Sequence, residues 1–150
     1  MKLEHSFSVA ASIGNVWSFL MDVPAMSACI PGASGVVQVD DATYDAKVSA
    51  KIGPISARFG CRISIAQLDE SAYSGTVEVT GKDTKLGSSV KARMLMSMRE
   101  DGGSTTVDIH SEVEVMGRIG QYGHGMLSKR ADAMLADFVA CAQSRLAEMS

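Results

Sequence analysis

Polar and apolar residues alternate along most of this chain, and the places where the alternation stops mark its other elements. Lys2 to Val9 sets Leu3, Phe7 and Val9 on one face and Glu4, Ser6 and Ser8 on the other, the period of a half-buried strand, with His5 on the apolar side. Ser12 then offers an N-cap to a short helix with Ile13, Val16, Trp17 and Leu20 on its face. Asp22 to Pro24 ends it, and a second short helix over about Pro24 to Cys29 begins with proline in its first turn. After the turn at Ile30-Pro31-Gly32 the alternation returns, predicting strands at about Ser34–Asp40, Thr43–Ile52, Ser56–Leu68, Ala72–Thr80, Ser88–Arg99 and Ser104–Met116. Each has one dry and one wet face. Lys47, Lys51, Arg58, Arg62, Lys91 and Arg93 on some wet faces stand against Asp45, Asp108, Glu112 and Glu114 on others, so cross-strand ion pairs are expected. Lys82 to Gly87 reads as a looser polar loop.

From Ile119 to Met149 the period changes. Ile119, Tyr122, Met126, Leu127, Ala131, Met134, Leu135, Phe138, Cys141, Ala142, Leu146 and Met149 follow the three-then-four spacing of one helix face, with no proline among them. Continuous helix there would be roughly 45 Å long at about 1.5 Å per residue, so it is expected to lie across the strands as their cover. Gly117, Gly120, Gly123 and Gly125 crowd its start, where an interior glycine costs up to about 1 kcal/mol relative to alanine. Either the true helix begins near Gly125, or the glycines serve a close backbone approach or a mobile gate at a cavity mouth. The pattern is that of one α+β domain over residues 1–150, an antiparallel sheet with two short helices after its first strand and a long C-terminal helix.

Composition narrows the function. A formal net charge of -3 lacks the basic excess of a general nucleic-acid binder. No apolar run reaches the roughly 18 residues of a membrane span, and Glu4, His5, Asn15 and Asp22 interrupt the region where a signal peptide needs an apolar core. Cys29, Cys61 and Cys141 lie far apart, without CxxC or Cys/His spacing, so neither a disulfide framework nor a zinc site is predicted; three free thiols and a cytoplasmic location are. His5, His110 and His124 make no metal-ligand pair, and no serine sits in a nucleophile elbow. The carboxylates fall on wet faces or in turns, Asp22 and Asp132 less clearly so. No catalytic residue, metal or covalent cofactor is expected.

Ten methionines against 5% aromatics imply an adaptable, polarizable interior. Met94, Met96 and Met98 share one strand face, and Met126 and Met134 come from the helix. They are either gap-filling core or the lining of a pocket for a flat or prenylated apolar ligand, with ring contacts from Trp17, Phe59, Tyr122 and Phe138.

Three blocks carry a resemblance: Ala28-Cys29-Ile30-Pro31-Gly32, then Lys51-Ile52-Gly53-Pro54-Ile55-Ser56-Ala57-Arg58-Phe59, then Gly117-Arg118-Ile119-Gly120-Gln121-Tyr122-Gly123 before the Ala131 to Phe138 helix. In this order they resemble the carbon monoxide dehydrogenase G-subunit family, within the START/SRPBCC superfamily whose pollen-allergen and lipid-transfer domains share the helix-grip fold. The resemblance implies a curved sheet wrapped around the long helix with a cavity beneath it. It also implies a non-catalytic accessory protein of a carbon monoxide dehydrogenase-type molybdenum hydroxylase, binding a quinone or lipid and working in the cytoplasm, at the inner face of the membrane if it makes peripheral contact there. The alternatives are a recruitment or maturation factor acting by protein contact and a small polyketide cyclase or dehydratase, since relatives of the fold include such enzymes. Longer members of the family continue into a linker and a hydrophobic tail; this chain stops at Ser150, and a tail-borne anchor is not expected.

Overall fold

A computed structural model describes residues 1–149. Strand β1 (Lys2–Val9) leads into α1 (Ile13–Met21) and α2 (Val23–Ser27), followed by β2 (Ala33–Asp40), β3 (Thr43–Ile52), β4 (Ile55–Asp69), β5 (Ser74–Asp83), β6 (Ser88–Asp101) and β7 (Ser104–Met116). A 3-10 turn (Ile119–Tyr122) then precedes α3 (Gly123–Met149). The seven strands form one antiparallel sheet in the order β1-β7-β6-β5-β4-β3-β2, in which the first strand returns to pair with the last. Register slips between β2 and β3 and at Ile65/Gln67 between β4 and β5 add local twist to the curved sheet. Helix α3 meets β1 and β3.

The local causes are those of the sequence. Ser12 caps α1 by accepting from the Asn15 N–H, and Asp22 caps α2 by accepting from the Ala25 N–H, with Pro24 in the first turn. On the wet face Asp45 and Arg62 are cross-strand neighbours joined by two hydrogen bonds of 2.8 and 3.0 Å, Glu78 faces Arg93, and Asp108 pairs with Arg99. Strand β5 runs on to Asp83, three residues past the expected end, because Gly81 and Lys82 still pair with Val90 and Ser89 of β6.

The long helix starts later than its apolar spacing suggests. Gly117 has φ of 82°, and a Cβ there would lie 2.0 Å from the Gly87 carbonyl oxygen; one on Gly120 would lie 2.4 Å from the Val115 oxygen. Close backbone approach, not a slack loop, therefore accounts for these two glycines. Between them Ile119 is sealed at 1% exposure, and its N–H donates to Ser88 Oγ at 3.1 Å. The chain then turns through Gly123, again at positive φ, into α3.

The apolar interior divides into two packed clusters. One gathers Val9, Val16, Trp17, Phe19, Met98 and Val107 beneath Ala142 and Leu146 of α3, with the Phe138 ring beside Phe7 and Phe19. The other gathers Ile52, Ile55, Ala57 and Phe59 around Ile119, with Tyr122 and Leu127 against them. Ending the chain at Arg130 removes Phe138, Ala142 and Leu146, each large apolar group worth roughly 1.5 to 3 kcal/mol of burial, out of a typical total of about 5 to 15 kcal/mol. Such a truncation should show no cooperative thermal transition by circular dichroism.

Asp83 closes the β5–β6 turn from within. Its carboxylate accepts from the Arg58 N–H at 2.7 Å and from the Lys85 and Leu86 N–H groups at 3.0 and 3.1 Å. The Arg58 bond foremost, and then the Leu86 and Lys85 bonds, hold this carboxyl below the usual range against the opposing effect of burial. A depressed native pKa stabilises the fold above the ordinary carboxylate value of about 4, and that contribution is lost as pH falls through the native pKa. Asp83→Asn should lower the melting temperature at neutral pH, and the gap from wild type should narrow below about pH 4.

Candidate functional site

Between the two clusters lies a layer of inward-facing side chains that belongs to neither. Alternation fixes its membership: residues two and four positions from the packed Phe7, Met96, Met98, Val90, Val107 and Val115 share their face. One row runs Leu3, Ser111, Met94, Val77 and Ile65 across β1, β7, β6, β5 and β4; the next runs Val113, Ala92, Val79, Ile63 and Tyr44 across β7 to β3. All of these except Ser111 are only half-buried, although they lie mid-sheet on the face that α3 covers. A filled interior buries its central residues most completely. Here the central layer is less completely buried than either cluster, and the space it borders is the candidate chamber; Val79, Ala92 and Val113 are also reached from the outer face, beside Lys91 and Glu112. Ala131 and Met134 of α3 are likewise half-buried and outside both clusters.

The sequence-predicted lining divides over this plan. Met94 and Met134 belong to the loose layer. Met96 and Phe138 flank the first cluster, whereas Trp17 and Met98 are buried within it, Trp17 edge-on to Tyr73 at 5.7 Å. Phe59 is buried in the second cluster and Tyr122 packs on its edge. Met126 is 42% exposed, and its Sδ lies with the Tyr122 ring over the β3–β4 turn at Gly53, which places it outside the chamber.

A recess of about 340 Å³ lies between β7 and the start of α3 and shares Val113 with the layer. It is lined by Met1, Val113, Glu114, Val115, Met116, Gly120, Gly123, His124 and Leu127, and its size is at the lower end of the roughly 300 to 1,000 Å³ of small-molecule sites. A larger open saddle of about 700 Å³ lies over β4 to β7, where Leu68, Thr76, Leu95 and His110 come from the outer face.

The polar groups near the chamber are few. His5 Nε2 donates to Asp132 Oδ1 at 2.7 Å, tying β1 to α3 and accounting for a histidine on an apolar face. Burial pushes the Cys61 thiol up from its ordinary pKa. Arg130, half-buried on α3, has its Nε shut off from water with no hydrogen-bond partner. Asp22 and Asp83 are committed to the α2 cap and the β5–β6 turn. Among the described residues no group of three or more His, Cys, Asp and Glu side chains could hold a metal ion.

The expectation of three free thiols is overturned. Cys29, just past α2, is joined to Cys141 of α3 by a disulfide with Cα atoms 5.4 Å apart, leaving Cys61 free. The 112 residues between the partners hide the pairing from spacing alone; folding the helix over α2 makes them neighbours. Disulfides are rare in a reducing cytosol, so the cysteines no longer argue for one.

A curved antiparallel sheet gripping a long C-terminal helix is the helix-grip fold of START-like proteins, and solved structures bear this out. A conserved protein from Geobacillus kaustophilus matches with a TM-score of 0.90 at 21% identity, over 99% of this chain and 96% of that one. The Zhui aromatase/cyclase from Streptomyces sp. R1128 matches at 0.69 and 13% identity, over 97% and 93%. A START superfamily protein from Mycobacterium smegmatis matches at 0.65 and 18% identity, over 99% of each chain. No curated protein is similar enough in sequence to count as a match. The model of one family, the carbon monoxide dehydrogenase G subunit (CoxG), matches residues 6–147, and the chain belongs to that family. The family is named as a subunit of carbon monoxide dehydrogenase, while the fold also serves enzymes such as the aromatase/cyclase. No helix among the described residues is long and apolar enough to cross a membrane.

Thiol titration of the denatured chain without reductant should find Cys61 alone, and all three cysteines after reduction. Cys29→Ser should cost about 2 to 4 kcal/mol in denaturant unfolding under oxidising conditions.

Proposed function

We propose that this protein is a non-catalytic carrier that holds an apolar ring compound, a quinone, in the layer between its two packed clusters, in the service of a carbon monoxide dehydrogenase-type molybdenum hydroxylase. The observation that supports the reading is the half-buried central layer on the covered face of the sheet. The partner enzyme is argued from the family alone. Methionine suits such a chamber, since a flexible thioether adapts to the ligand and contacts ring edges favourably.

Burying roughly 300 Å² of ligand apolar surface is worth about 7 kcal/mol, whereas micromolar affinity needs about 8 kcal/mol net of immobilisation. Area alone falls short, and a chamber held open by its two flanking clusters supplies the remainder as pre-organisation. The purified protein, extracted with organic solvent and read by mass spectrometry, should release a quinone, and calorimetry should give a Kd of micromolar or better for a soluble quinone. Met94→Trp, which fills the layer from mid-sheet, should weaken binding at least about tenfold without lowering the melting temperature, since burying more apolar area there favours the fold. Wild-type protein that neither carries nor binds any quinone would leave recruitment of the enzyme by surface contact as the function.

A further inference from the structure

The apolar stripe of α3 is interrupted at Arg130. It lies three residues after Leu127, which packs on the second cluster, and four before Met134, which faces the loose layer, so its stem leaves the helix on the same side as both. The positions that would neutralise a helical arginine, three and four residues away, are Met126, Leu127, Ala133 and Met134, none of which has an acidic side chain. The nearest acid along the helix, Asp132, is engaged by His5 of β1. Among the described residues no side chain or carbonyl pairs with the guanidinium, and its Nε–H is closed off from water. An N–H of a charged group left without an acceptor and without solvent is unfavourable to the fold even where the terminal nitrogens are not sealed, and an arginine fork has the geometry to serve a planar oxygen acceptor.

We infer that Arg130 is the polar anchor of the bound molecule, donating to an oxygen of an otherwise apolar ring compound: a ring carbonyl, or a carboxylate borne on the ring. The inference rests on the ligand reading of the chamber and specifies which end of the ligand lies toward α3. Ser111 is a second polar group in the layer, on β7 opposite Met94, and is buried to 9% exposure. A ligand body over Met94 and Val77 with its oxygen at Arg130 leaves the hydrocarbon against the sheet and satisfies the Nε–H, the one buried side-chain donor among the described residues that the protein itself leaves unpaired. The competing account is that the aliphatic stem merely covers apolar surface while its head reaches for solvent.

Three probes of one shape separate these accounts: dimethylnaphthoquinone, whose ring has no free position for the Cys61 thiol to attack, naphthoate, and dimethylnaphthalene, which lacks oxygen. Calorimetry on the full chain should show at least one oxygen-bearing probe bound about tenfold more tightly than the hydrocarbon, the worth of one hydrogen bond to a charged group. Whether the quinone or the carboxylate is favoured identifies the source of the acceptor. Arg130→Met should erase the preference while leaving dimethylnaphthalene binding unchanged, and Arg130→Lys should keep part of it. Hydrocarbon binding with no preference in wild type, or a preference that survives Arg130→Met, overturns the anchor and leaves the chamber standing. Failure of all three probes to bind overturns the chamber and the anchor together. A variant that loses affinity for all three equally marks Arg130 as structural and overturns the anchor.

Discussion

The hydrogen bond from the Ile119 N–H to Ser88 Oγ, sealed beneath a side chain 1% exposed, fixes where the covering helix begins. Around it Gly117 and Gly120 lie so close to the carbonyls of Gly87 and Val115 that neither tolerates a Cβ. Because this corner is rigid, α3 enters in a set direction, and its last turns reach β1 and α1, where Ala142 and Leu146 are buried and Cys141 is bonded to Cys29. A helix fastened at its two ends need not be packed along its middle. The layer of Met94, Val77, Ile65 and Met134 can therefore stay loosely filled while the fold remains cooperative.

That division of labour assigns stability and binding to different residues. Stability resides in the clusters at the two ends, in the Asp83 turn and in the disulfide; under the proposed function, affinity falls to the side chains that the ends hold apart. A protein that filled the middle would gain burial energy and lose the space, the familiar exchange between stability and function.

Alternation predicted β1, β3 and β7 to the residue, because each has one wet and one dry face and a turn residue at its end. Period does not register tertiary demands. The start of α3 is decided by Gly87 and Val115 pressing on two glycines, and the disulfide by the arrival of α3 over α2, at a separation of 112 residues. The methionine row was legible as a row, but which of its members packs and which lines the gap depends on the distance from each cluster: Met98 is buried, Met96 borders the first cluster and Met94 stands free of it. Trp17 and Phe59 resemble ligand contacts in sequence and are core in space. Apolar spacing is blind to Arg130, whose signal in the sequence is a lone charge inside a helical stripe with no acid one turn away.

The Cys29–Cys141 bond also changes what kind of object the chain is. It closes a covalent ring that contains β2 through β7 and the first two-thirds of α3, and leaves β1, α1 and α2 outside as a tail. The ring lowers the conformational freedom of the unfolded chain and so favours the folded one, while each strand within it is still held to its neighbours by pairing alone. The tail is held by pairing with β7, by packing beneath α3, and by the His5–Asp132 contact. In the oxidised protein, then, the first strand lies outside the loop that the disulfide shortens and owes its place wholly to non-covalent contacts and to its chain connection through α1 and α2.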